Sequence, residues 1–121
     1  MALCILSAGI TKALTVSLFS LSWTHSVQKT EWREDWAVTP AGLVLRQAAV
    51  KGSGAGMEPG ADAVLKDGWW VWHPTLAPRP SLALAASGMT PGGWTLCHAG
   101  GCMEIGTKAG EDVVLEGCDG D

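Results

Sequence analysis

The stretch from Phe19 to Val38, FSLSWTHSVQKTEWREDWAV, alternates apolar and polar residues along two arms and so cannot gather one apolar stripe as a helix would. On the first arm Phe19, Leu21, Trp23, His25 and Val27 share a face, and on the second Trp32, Glu34, Trp36 and Val38 do. Each arm has the two-residue period of a strand. A hairpin folded about Lys29-Thr30 sets Leu21 opposite Val38, Trp23 opposite Trp36, His25 opposite Glu34 and Val27 opposite Trp32. A one-residue slip would carry one arm's apolar side chains to the polar face, so this register is expected. His25 and Glu34 would then form a polar pair on a tryptophan-lined face. The carboxylate would orient the imidazole and raise its pKa, leaving the second ring nitrogen for a ligand or a proton. The pair fits a purely structural role as well. Ser26 points to the other face of the strand and is not placed to be a triad serine.

The rest of the chain reads the same way. Its 121 residues include 16 glycines and 6 prolines that break it into short apolar runs. None approaches the ~18 residues of a membrane-spanning helix, and no sustained helical period appears. The expectation is a single all-β domain over residues 1–121, a small antiparallel sandwich or barrel of about eight to nine short strands. Two apolar residues adjoin at Leu18-Phe19, and such a flip of phase marks a bulge or a strand passing between sheets. Thr39-Pro40-Ala41-Gly42 and Lys66-Asp67-Gly68 read as turns. A net charge of −4, with basic residues scattered singly, supplies no stripe to neutralise phosphates, so nucleic acid is not an expected partner. Lys12 interrupts the apolar start of the chain, and no clear signal peptide is read there.

Two further motifs suggest chemistry. Gly52-Ser53-Gly54-Ala55-Gly56 lacks the spacing of a dinucleotide fingerprint, and Met57-Glu58-Pro59-Gly60 cannot open a useful helix. The backbone of Gly54, Ala55, Gly56 and Met57 could still present successive N–H groups to an anion, or simply be a loop that needs positive φ. In Cys97-His98-Ala99-Gly100-Gly101-Cys102, a turn at Ala99-Gly100 sets Cys97 against Cys102 at a close, non-hydrogen-bonded position within disulfide reach. Free thiols fit too. A zinc set completed by Cys118 lacks the usual C-x2-C partner, and neither a metal nor a cofactor is expected.

Trp-Thr-His-Ser-Val at 23–27, then Lys29, Thr30, Trp32 and Glu34, together with Gly-Ser-Gly-Ala-Gly-Met at 52–57, resembles a small bacterial family of unknown function, domain-of-unknown-function family eighteen-fifty. The likeness spans most of the chain and departs from the family's pattern at Gln28, Glu31 and Arg33. Its members are usually encoded beside tripartite TRAP solute transporters of the TAXI subclass. The resemblance therefore implies a non-catalytic accessory or small-molecule-binding protein, periplasmic or envelope-associated, with a TRAP transporter subunit as partner and a small anionic ligand such as a carboxylate. His25, Ser26 and Glu34 with Gly54, Ala55, Gly56 and Met57 would form the site. Two other functions stay open: a small hydrolase using His25 as general base, and a carbohydrate-binding module using Trp69 or Trp70 and Trp72.

Overall fold

The alternation of Phe19 to Thr24 and of Trp32 to Val38 becomes strand among the residues that the computed structural model describes, namely 2–7, 9–24, 30–51, 62–84, 93–106 and 112–118. The strands are β1 (Ala2–Ser7), β2 (Ile10–Leu14), β3 (Leu18–Thr24), β4 (Glu31–Thr39), β5 (Gly42–Lys51), β6 (Val64–Lys66), β7 (Trp69–Trp72), β8 (Ser81–Leu84), β9 (Trp94–His98), β10 (Gly101–Ile105) and β11 (Val113–Cys118). They form two antiparallel sheets, a four-stranded one in the order β2-β1-β11-β8 and a seven-stranded one in the order β10-β9-β3-β4-β5-β7-β6. Neither closes, so the architecture is an open sandwich and not a barrel. Among the described residues the eleven strands exceed the expected eight to nine, and the edge strands β2 and β6 leave nearly all their residues exposed.

The core lies where the inner faces meet. Leu3, Ile5, Leu82, Leu84, Val113 and Leu115 of the smaller sheet pack on Phe19, Leu21, Trp36, Val38, Leu43, Leu45 and Leu96 of the larger. Leu3, Leu21, Leu43, Leu96 and Leu115 are fully buried, each contributing about 2 kcal/mol of transfer free energy. The chain changes sheet just before the flip of phase at Leu18-Phe19, between Leu14 and Leu18, while Leu18 and Phe19 themselves both belong to β3. β2 belongs to the smaller sheet and β3 to the larger, and the crossing is pinned where Val38 N donates to Ser17 O at 2.9 Å.

Two backbone features shape the larger sheet. Gly42 has φ 126°, and a Cβ there would lie 2.6 Å from the Arg79 carbonyl oxygen. Only glycine admits the paired bonds Leu43 N to Arg79 O (2.7 Å) and Arg79 N to Leu43 O (2.8 Å), which hold the approach to β8 against β5. Farther along β5, Asp35 faces Gln47 while Trp36 faces Leu45, so Arg46 is the extra residue of a bulge.

All four cysteines are paired. Cys4 and Cys118 join β1 to β11 with Cα atoms 5.9 Å apart across a sequence separation of 114. Cys97 and Cys102 join β9 to β10 across a separation of 5, in the register that sets Gly101 opposite His98. The first crosslink restricts far more of the unfolded chain. Replacing Cys4 and Cys118 together by Ala is expected to cost about 4 kcal/mol, against about 2 kcal/mol for Cys97 and Cys102. Urea unfolding of the two variants checks the order, and equal losses would show that loop closure is not the source of the stabilisation.

Candidate functional site

The register of β3 against β4 differs from the expected one. Phe19 stands opposite Trp36, Leu21 opposite Glu34 and Trp23 opposite Trp32. Glu34 therefore faces Leu21 and not His25. The slide is even, so every apolar side chain keeps its face and the alternation cannot detect it. Lys29-Thr30 lacks the positive-φ residues that a two-residue turn demands, and the paired strands stop at Thr24 and Glu31. His25, Ser26, Gly54, Ala55, Gly56 and Met57 lie outside the described residues, so Glu34 alone of the expected binding set is placed.

Glu34 sits half-buried on the inner face of β4, in a row with Leu96, Leu21, Ala48 and Trp72 of the neighbouring strands. Its Oε1 accepts a hydrogen bond from Trp36 Nε1 at 3.2 Å. Burial pushes the carboxyl above the ordinary glutamate range, while the Trp36 N–H and the charge of Arg79 pull it partly back. Beside it runs a line of half-buried indoles. Trp94 and Trp23 have ring centroids 4.8 Å apart, Trp23 and Trp32 stack at 6.2 Å, and Trp32 meets Trp72 edge to face at 6.3 Å. Trp32 Nε1 is buried without a hydrogen-bond partner, a state that typically costs about 1–3 kcal/mol. Of these ring contacts only that of Trp23 with Trp32 is face to face. On the opposite face Lys51 Nζ lies 5.8 Å from the Trp69 ring.

A second constellation, absent from the sequence reading, lies on the outer face of the same sheet. An open groove of about 780 Å3 is lined by residues that include Leu18, Ser20, Arg33, Asp35, Arg46, Gln47, His73, Cys97 and His98. Its floor is a row of facing residues, Cys97, Ser20, Asp35 and Gln47, on four adjacent strands. Asp35 organises the floor: Oδ1 accepts from Arg33 Nε at 3.3 Å and Oδ2 from Gln47 Nε2 at 3.2 Å. Held by Nε, Arg33 keeps its terminal nitrogens clear of that contact, and its side chain is 55% exposed. The bulge brings Arg46 to the same groove, and His73, just past β7, closes that side. His98 is turned back on its own hairpin, its Nδ1 accepting from Gly100 N at 3.0 Å.

The polar arms of β3 and β4 did carry a signal for this groove. Ser20, Arg33 and Asp35 read in sequence as an ordinary solvated face, because their company with Arg46, Gln47 and His73 depends on the β4-β5-β7 pairing and on the bulge. Among the described residues no group of acidic, histidine or cysteine side chains is arranged to hold a metal ion.

An open antiparallel sandwich with a polar groove across its wider sheet defines the class of fold. The family model for the domain of unknown function DUF1850 matches residues 19–105, and the chain belongs to that family. No curated protein and no solved structure matches it. Among the described residues no helix is long and apolar enough to cross a membrane.

Glu34 gives this site a testable pH dependence. A carboxyl whose folded pKa is raised contributes stability that is present in full below the ordinary value of 4.5 and is lost as pH rises through the folded value. Glu34→Gln keeps an acceptor for Trp36 and removes the buried charge. Its melting temperature should match that of the parent in acid and exceed it by a few degrees near neutrality. A difference that does not change with pH would show that burial does not penalise the Glu34 charge.

Proposed function

We propose that this protein is a non-catalytic accessory of a TRAP-type solute uptake system and that it binds a small carboxylate in the outer groove. The observation that carries the reading is that two arginines, Arg33 and Arg46, line one groove with His73 around a floor of hydrogen-bonded side chains, in a chain whose net charge is −4. Within the groove the two arginines outweigh the charge of Asp35. Both oxygens of that carboxylate are already engaged, by Arg33 and Gln47, so Asp35 holds donors in place and is not free to move protons. A guanidinium fixed through Nε can offer its remaining N–H groups to a carboxylate as a planar fork. Arg46 adds a second donor set from the bulge, where regular pairing would not have projected it.

Location in the periplasm or at the envelope is supported by the chemistry of the cysteines. All four are in disulfides, the state that oxidising compartments maintain and the bacterial cytoplasm does not. The accessory role rests on membership of the family, and a transporter subunit with no measurable affinity for this chain in surface plasmon resonance rules it out.

Titration with butanoate should move the backbone amide NMR signals of Ser20, Asp35 and Gln47, whereas butanamide should leave them in place. Arg46→Ala should weaken butanoate binding about tenfold or more, because a charge-assisted contact is lost. The fold should tolerate it, since Arg46 is exposed. Equal response to the acid and the amide ends the proposal.

A further inference from the structure

The groove carries its cationic side chains on β4, β5 and just past β7, and its exposed leucine on β3. One step along the outer face from the floor row, Leu18, Ala37 and Val44 stand side by side on β3, β4 and β5. None of the three is buried, and Leu18, a groove residue, is 52% exposed. An exposed leucine in an open, concave site is a place where hydrocarbon gains by being covered. Beside it the groove is bounded by Ala99 at the tip of the β9-β10 hairpin and by Cys97, whose disulfide sulfur is a soft, weakly hydrated surface. The guanidinium of Arg46 and the ring of His73 belong to the far side, on β5 and beyond β7. From β3 to β5 is two strand spacings, about 10 Å. That span is short for a long-chain fatty acid and long for acetate or succinate.

From this polarity we infer that the ligand is an amphipathic monocarboxylate of medium chain length, its head held by Arg33, Arg46 and His73 and its tail laid over Leu18 towards Ala99 and Cys97. The inference rests on the carboxylate reading above and adds the tail and its direction. A dicarboxylate would place its second charge against Leu18 and the Cys97-Cys102 bridge, where among the described groove residues no cation stands on β3. A neutral alcohol of the same length would cover Leu18 but leave the guanidinium forks without an anion.

Calorimetric titration of the full chain with butanoate, hexanoate and octanoate, with succinate and octanol as comparison ligands, tests the inference. Affinity should rise about threefold per added methylene, as expected for partly covered hydrocarbon. Octanol should bind at least tenfold more weakly than octanoate. Leu18→Ser, at a position already half in water, should flatten the series, with the loss of affinity largest for octanoate. A flat series in the parent, or succinate binding more tightly than octanoate, overturns the tail and leaves the carboxylate reading standing. Octanol equal to octanoate overturns the assigned orientation, and so does a series that Leu18→Ser leaves as steep as before. Failure of every carboxylate to bind overturns both readings together.

Discussion

The pairing of Phe19 with Trp36 across β3 and β4 is the contact from which the other positions in the larger sheet follow. With that register set, Leu21 and Glu34 share the next inward position and Trp23 and Trp32 the one after. On the reverse side the same steps bring Ser20 to Asp35 and Ser22 to Arg33. A pleated strand has no third option for a side chain, so one register decides both the core and the groove. Had the hairpin closed as the alternation alone suggests, with Trp23 against Trp36, the inner face would still be apolar. The outer face would have lost the alignment of Ser20, Asp35 and Gln47.

The two faces then solve different physical problems with the same strands. Inward, the smaller sheet covers the leucine-rich part of the larger one, and the indoles of Trp23, Trp32, Trp72 and Trp94 pack on one another towards one end. Large flat rings suit such a region, because each offers much apolar area for little side-chain entropy. Glu34 lies at the border between leucine core and indole row. Its raised proton affinity follows from that position and needs no catalytic purpose. Outward, the bulge at Arg46 breaks the regular pairing of β4 with β5 and supplies a cation that an unbroken ladder would have faced elsewhere.

Covalent closure complements this arrangement. The smaller sheet has only four strands, and its central pair, β1 and β11, comes from opposite ends of the described chain. Pairing them closes a very long loop, which is entropically the most demanding contact in the sandwich, and Cys4-Cys118 removes much of that demand. Cys97-Cys102 closes almost no loop. Its position at the rim of the groove gives it a local role, holding the β9-β10 hairpin beside Ser20.

Alternation in the sequence was enough to determine the all-β class, the hairpin turns at Lys66-Asp67-Gly68 and Ala99-Gly100 and the facing of Cys97 and Cys102, and it marked an irregularity beside Phe19 without separating a bulge from a change of sheet. These depend on residues near one another in the chain, where period, turn chemistry and spacing act directly. Glu34 was legible as an inward polar residue for the same reason. Its partner was not, because an even slide of β3 along β4 is invisible to a period of two, and the choice lay with the connection and with β5 and β9 on either side. The pairing of Cys4 with Cys118 was equally hidden, since no local rule relates the two ends of a chain. The groove needed the most: Arg33, Asp35, Arg46, Gln47 and His73 come from three separate segments, and the bulge that admits Arg46 arises only where two strands of unequal count are laid side by side. Faces can be read from one strand, but a site made of facing residues exists only once the sheet has chosen its neighbours.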